Sequence, residues 1–230
     1  MTEFSVIIPA RNEAAMIGGA LRSVAEQACS DGAVEAIVVA NGCEDYTAAV
    51  ARSTAAELDL RTQVIELAEP GLARAKNVGV RAAAGRWLVF LDADSRFGPG
   101  LLAAVRRRTE SGEEAGSIPV YADGGDVVDR AFFGLIEFGK ALFGIQAQMF
   151  YCPREAFLAA GGFDESLNLA EDRDLVRRLQ ARGLKFGRVT SAAIFTSPRR
   201  LHRLPMHLNV PLTFARWALA NWGVGRRWPY

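Results

Sequence analysis

Short apolar runs alternate with longer segments of helical spacing along the first half of the chain. Residues 4–9 (FSVIIP) form a β-branched run that predicts a buried strand. A polar loop (ARNE) follows, and Asn12 is placed to cap a helix over 12–26, with Ile17, Leu21, Val24 and Ala25 on one face. Residues 36–40 predict a second strand closed by Asn41-Gly42, then a helix over 45–58 and a strand over 63–67. Pro70-Gly71 opens a helix to about residue 84, which Gly85 ends. The run 88–91 (LVFL) then reads as a strand buried on both faces. This order predicts an α/β fold with a mostly parallel central sheet flanked by helices, its ligands lying beyond the C-terminal ends of the strands.

Past Gly98-Pro99 the alternation weakens. The pattern predicts helices over 101–108, 126–143, 153–160 and 170–182, and short strands over 117–121, 149–152, 185–189 and 192–196. No repeat or low-complexity linker divides the chain, so one domain with two halves is expected.

Candidate chemistry collects at the predicted strand ends. Asp92 and Asp94 close the 88–91 run, and on an extended backbone their carboxylates would point the same way. Such a pair suits a hard divalent cation, although DADSR is also good turn chemistry. Glu171 and Asp172 fall in a first helical turn, where the helix dipole favours negative charge. Asp172 precedes Leu175, Val176 and Leu179 on the same face, so it points toward the core. A carboxylate there is costly unless paired or used, and an ionised one suits a base accepting a proton from a hydroxyl. Gly71, Arg74, Lys76, Asn77 and Gly79 place small residues and cations on a helix that opens near the same sheet edge, as phosphate approach requires. The glycine spacing is neither a Walker loop nor a dinucleotide fingerprint. The segment 197–202 (SPRRLH) is a compact basic loop able to hold phosphate or offer the His202 imidazole to a metal.

Charge sharpens the second half. The net charge of +1 hides an asymmetry: all 26 acids lie at or before Asp174, and residues 175–230 carry 11 Lys or Arg. That basic end suggests an anionic partner, a phosphorylated substrate or an acidic membrane surface. Nucleic acid is not expected, because no recognition motif accompanies the charge. Cys29, Cys43 and Cys152 are odd in number and lack metal-ligand spacing, which suggests a reducing, cytoplasmic setting. The start of the chain reads as no secretory signal, and no apolar run reaches spanning length.

Taken in order, the segments 5–13 (SVIIPARNE), 41–47 (NGCEDYT), 71–79 with 90–94 (FLDAD), 161–165 (GGFDE) and 171–175 (EDRDL) resemble the family 2 glycosyltransferases. The resemblance covers residues 4–200 and implies a single GT-A domain over 1–204. A nucleotide-sugar half would occupy 1–98 and an acceptor half 99–204, with a basic aromatic tail over 205–230. It implies that Pro9, Arg11, Glu13 and Asn41 line the nucleoside pocket and that Lys76 lies near the nucleotide. Asp94 would bind manganese or magnesium directly, Asp92 would contact ribose or metal water, and His202 would supply a third metal ligand. Asp172 matches the family's catalytic base, with Arg199 and Arg200 offsetting diphosphate charge. The implied reaction is an inverting, metal-dependent sugar transfer from a UDP-sugar, or alternatively a GDP-sugar. The hydroxyl acceptor would belong to a saccharide, a lipid phosphate or a small molecule.

Two departures stand out: Ala40 replaces an acid frequent in the family, and Cys43 and Glu44 replace small hydroxylated residues. A sugar-nucleotide nucleotidyltransferase would instead carry a glycine-rich basic loop after the first strand, where this chain has ARNE. A non-catalytic binding module would not need Asp92, Asp94 and Asp172 together. The tail is expected to cover the acceptor half, form a homodimer face or touch the inner membrane surface peripherally.

Overall fold

The computed structural model describes residues 2–31, 34–142, 146, 148–167 and 170–203. The tail beyond Arg203, and with it every expectation placed on 205–230, lies outside the described residues. The first part of the chain forms β1 (Phe4–Ala10), α1 (Ile17–Asp31), β2 (Val34–Asn41), α2 (Thr47–Glu57), β3 (Thr62–Leu67), α3 (Leu72–Ala82), β4 (Trp87–Phe90) and β5 (Ser95–Phe97). Then come α4 (Leu101–Glu110), β6 (Ala115–Ser117), β7 (Val120–Ala122), α5 (Val127–Leu142), β8 (Phe150–Pro153), α6 (Arg154–Ala159) and α7 (Glu171–Ala181). Strands β9 (Phe186–Arg188) and β10 (Ile194–Thr196) and the 3-10 helix η1 (Pro198–Arg203) complete the described chain.

Seven strands make one sheet in the order β3-β2-β1-β4-β8-β6-β9. The block β3-β2-β1-β4 is parallel, β8 runs antiparallel to both its neighbours, and β9 pairs parallel with β6. The α/β class and the mostly parallel sheet are therefore as expected. Every residue of β1, β2 and β4 is buried, because helices cover both faces, which is why these strands read as unbroken apolar runs. Alternate side chains divide between two cores. Val6, Ile8, Ala36, Val38 and Val89 pack with Ile17, Leu21 and Val24 of α1 and with Leu101 and Val105 of α4. Ile7, Ile37, Val39, Leu88 and Phe90 pack with α3, with Phe157 of α6, and with Leu175 and Leu179 of α7.

Three sequence expectations change. Residues 117–121 are two strands rather than one: β6 joins the large sheet and β7 joins β10 and β5 in a second, three-stranded sheet. Pro119 lies between them, and a residue without an N–H cannot continue a ladder. Asn12 does not cap α1, which starts at Ile17; Asn12 has φ 54° and its Oδ1 accepts from the Glu44 N–H at 2.8 Å. The chain after Asp94 also forms β5, hydrogen-bonded to β10, an element the sequence pattern did not predict.

Helix α3 approaches the sheet at the limit that bare backbone permits. A Cβ on Gly79 would lie 2.6 Å from Ile7 Cγ2 and 3.3 Å from Val39 Cγ2. Alanine would gain about 1 kcal/mol of helix propensity against that clash, so valine is the cleaner test. Gly79→Val is expected to lower unfolding free energy by about 2 kcal/mol through overpacking, read as a fall in the urea midpoint at unchanged slope.

Candidate active site

The loops after β1, β2 and β4 meet at one edge of the sheet, and side-chain hydrogen bonds hold them together. Thr47 Oγ1 accepts from the Glu13 N–H at 2.8 Å, and Asp45 Oδ2 accepts from the Ala14 N–H at 3.1 Å. Burial works to raise the Asp45 carboxyl, but hydrogen bonds from Thr47 and the Ala14 amide hold it below its usual range. Cys43 Sγ accepts from the Asn12 N–H at 3.5 Å and donates to the Ala10 carbonyl at 3.3 Å. Asn41 Oδ1 accepts from the Gly71 N–H at 2.8 Å and so ties the end of β2 to the start of α3. Gly42, at φ 61°, lies where a Cβ would meet the Pro70 nitrogen at 2.7 Å. That requires glycine.

Of the residues expected to line a nucleoside pocket, Pro9 is buried within β1 beside Val39, Arg11 is exposed just past the strand, and Glu13 and Asn41 are buried. Glu13 is joined to Arg199 of η1, whose guanidinium also lies 3.6 Å from Asp94 Oδ2. One arginine from the end of the described chain thus bridges the loop after β1 and the loop after β4. The side chain of Arg200 lies outside the described residues.

Strand β4 stops at Phe90, and Asp92 opens a turn in which its carbonyl accepts from the Ser95 N–H at 3.0 Å. The two carboxylates therefore do not project side by side from an extended strand. Asp94 is buried toward Arg199, while Asp92 acts electrostatically on Lys76 and Asp172. Among the described residues, no three of His, Cys, Asp and Glu converge closely enough to hold a metal by themselves. Two carboxylates still fit a hard cation such as Mg²⁺, which commonly takes one or two from the protein and completes its shell with substrate phosphate and water. His202 is placed elsewhere: its Nε2 lies 3.0 Å from Asp129 Oδ2 at the start of α5, a partner that the position of His202 beside arginines did not reveal.

The centre of the site is a buried ion cluster. Lys76 Nζ on α3 donates to Glu171 Oε1 at 3.0 Å and to Asp172 Oδ1 at 2.7 Å on α7, and lies 4.9 Å from the centroid of the Phe163 ring. Burial alone would lower the lysine, but Asp172, Glu171 and Asp92 together hold it above its ordinary range. Burial pushes Asp172 up, to about 7, against the pull of Lys76, with Glu171 and Asp92 adding to the rise. A carboxylate ionised simply by a helix N-terminus was expected; desolvation beside two other acids brings its titration near neutrality instead. Next to Lys76 on α3, Asn77 Nδ2 donates to the Phe163 carbonyl at 2.9 Å and to Glu165 Oε1 at 2.8 Å. Its Oδ1 accepts from the Phe163 N–H at 2.9 Å, which anchors the 161–165 turn beside the cluster.

Glu171 as a second lysine partner and Asn77 as an anchor were missed from sequence. The signal was present: Lys76 shares a helical face with Ala73 and Val80, so a cation was bound for the core and needed acids to meet it.

With this geometry in view, comparison with known proteins is decisive. A family model, Glycosyl transferase family 2, matches residues 5–162. The chain belongs to this family. A PGL/p-HBAD biosynthesis glycosyltransferase of Mycobacterium tuberculosis (strain ATCC 25618 / H37Rv) is 33% identical over 178 residues, covering 74% of this chain and 67% of that protein. The structure of S. aureus TarS 1-349 in complex with UDP-GlcNAc matches with TM-score 0.71 at 20% identity, covering 85% of this chain and 58% of that one. The mannosyltransferase PcManGT from Pyrobaculum calidifontis, in complex with GDP-Man and Mn2+, matches with TM-score 0.66 at 24% identity over 85% of this chain and 56% of that one. The chain therefore spans just over half the length of these two solved structures. Their similarity establishes the GT-A fold, and family membership makes the chain a glycosyltransferase rather than a nucleotidyltransferase. The matched family segment ends at residue 162, before Glu171 and Asp172.

Removing the lysine tests the cluster. Lys76→Met leaves two buried acids without their cation, and a loss of about 3 kcal/mol is expected near neutral pH. The sign follows from Asp172, whose folded pKa lies above the unfolded value. The native state then binds more protons than the unfolded one, so stability falls as pH rises from about 4 through 7 and beyond. Urea midpoints of the variant should thus fall more steeply than wild type between pH 5 and pH 8; parallel curves would show that Lys76 does not hold the acids.

Proposed function

We propose that this glycosyltransferase moves a sugar from a nucleoside-diphosphate donor to an acceptor hydroxyl with inversion at the anomeric carbon, with Asp172 as base. The observation that carries the reading is the buried contact of Lys76 with Asp172 at 2.7 Å, within electrostatic reach of Asp92 beyond β4, where burial pushes Asp172 up to about 7. A base is most effective when its pKa lies close to the working pH. Lys76 holds Oδ1 of Asp172, and we assign Oδ2 to the acceptor proton.

The acceptor oxygen attacks the anomeric carbon as the bond from that carbon to the diphosphate oxygen breaks, and the nucleoside diphosphate leaves with the bonding pair. The acceptor proton passes to Asp172. One displacement from the face opposite the leaving group inverts the carbon. Negative charge grows on the departing diphosphate, and Arg199, with Arg200 beside it in sequence, is placed to offset it. Asp94, with Asp92 at its edge, would hold Mn²⁺ or Mg²⁺, which when bound supplies Lewis-acid stabilisation of the leaving group. His202, engaged with Asp129, is left out of that set.

Pro9, Arg11, Glu13 and Asn41 are assigned to the nucleoside side, with a UDP-sugar favoured and a GDP-sugar as the second candidate. The named complexes of TarS with UDP-GlcNAc and PcManGT with GDP-Man support this donor class. The acceptor is a hydroxyl of a saccharide, a lipid phosphate or a small molecule.

Two measurements test the assignment. A thermal-shift panel of UDP-, GDP- and dTDP-sugars with Mn²⁺ or Mg²⁺ should stabilise the chain with at least one donor; no shift with any of them sinks the donor reading. Transfer should rise with pH around an apparent pKa near 7, because only the deprotonated carboxylate accepts the proton. Asp172→Asn should lose this limb and at least ~10²-fold in kcat while keeping the donor thermal shift. An Asp172→Asn protein with full transfer activity would falsify the base assignment.

A further inference from the structure

The turn η1 follows β10 directly and carries two polar side chains on one face. A 3-10 helix has three residues per turn, so Arg199 and His202 stand one above the other. Arg199 meets Glu13 and Asp94, as described above. His202 grips a different element: its Nε2 lies 3.0 Å from each carboxylate oxygen of Asp129, in the first turn of α5. A carboxylate only accepts, so the imidazole donates.

Asp129 is a fixed anchor. It is buried, and it shares a reciprocal cap with Asp126, the residue just before α5. The Asp129 N–H donates to Asp126 Oδ1 at 2.9 Å, and the Asp126 N–H donates to Asp129 Oδ2 at 3.3 Å. Gly125, at φ 75°, lets the chain pass so close over this carboxylate that a Cβ there would lie 2.5 Å from Oδ2. The backbone leading to η1 is tied as well. Strand β10 pairs with β7, the Asp123 N–H donates to the Thr196 carbonyl at 2.7 Å, and the Ser197 N–H donates to the Asp94 carbonyl at 3.0 Å.

We propose that His202 is a positioning residue for sugar transfer: its bond to Asp129 fixes η1 so that Arg199 holds its guanidinium at the junction of the Glu13 and Asp94 loops. A short 3-10 turn has weak internal hydrogen bonds, so its placement depends on what its side chains grip. Arginine is a long side chain with much rotamer freedom, and two carboxylates at its tip do not by themselves set the height of the backbone that carries it. The second tether, one turn along the same face, does. The role of His202 is thus exerted through Arg199 and rests on the assignment of Arg199 to the departing diphosphate.

Calorimetric titration of the full chain with UDP and with GDP, each with Mn²⁺, tests the inference. Wild type should bind at least one of them. Arg199→Ala should weaken that binding about tenfold, and His202→Ala should weaken it by a similar factor, because a displaced guanidinium contributes little. The double variant should bind no more weakly than Arg199→Ala, since residues acting as one unit are not additive. His202→Gln should recover most of the loss, because its amide donates at a similar reach without the ring. The His202 side chain is half exposed, so these changes leave the core intact. Wild-type affinity in His202→Ala, a loss that adds in full to that of Arg199→Ala, or failure of glutamine to recover binding would each overturn the positioning role while leaving the donor reading in place. Wild-type affinity in Arg199→Ala would overturn the diphosphate assignment and the positioning role with it, and a wild-type chain that binds neither nucleotide would overturn the donor reading and both of these.

Discussion

A lysine ammonium removed from water organises this molecule. Lys76 is nearly inaccessible, and the acids that satisfy it come from the other end of the chain, 95 and 96 residues away. A buried cation without a partner is costly enough to unfold a domain of ordinary stability. Helices α3 and α7 must therefore face each other before either is comfortable. The same pairing places a carboxyl of near-neutral pKa beside Asp92. The contacts that satisfy the lysine are thus also those that set the titration of Asp172.

The sheet distributes these contacts. Its parallel block delivers three strand ends to one edge, where crossovers leave loops long enough to carry side chains inward. The antiparallel β8 then changes direction, and the elements beyond it return α7 and η1 to the same edge. Arg199 closes the arrangement from the last described element, touching both Glu13 and Asp94. The site is thus assembled from residues close to both ends of the described chain.

The parallel block was legible because β1, β2 and β4 are buried on both faces and leave uninterrupted apolar runs. The acids at 92, 94 and 172 were legible because carboxylates stood where the pattern called for core or strand end. Less could be read wherever a residue's environment depends on a distant partner. Asn12 looks like a helix cap until Glu44 occupies its side chain, and the neighbours of His202 in sequence do not announce Asp129 beside it. The split of 117–121 between two sheets depended on Pro119, whose missing donor was visible but whose neighbours were not. Helix α5 was legible as a helix, but its orientation was not, because its apolar residues gave no sign that Glu137 would point inward to Lys140 and Arg188.

The close approach at Gly79 has a reach beyond the core it belongs to. Gly79 stands one turn from Lys76 on the same helix, so the bare hydrogen of one residue sets the height at which the other carries its charge above the sheet. Helix α3 acts as a spacer of fixed thickness, gauged on Ile7 and Val39. Valine at residue 79 is expected to press α3 off Ile7 and Val39 and so to shift the ammonium relative to Glu171 and Asp172. The resulting enzyme would keep every functional side chain and still have them out of alignment.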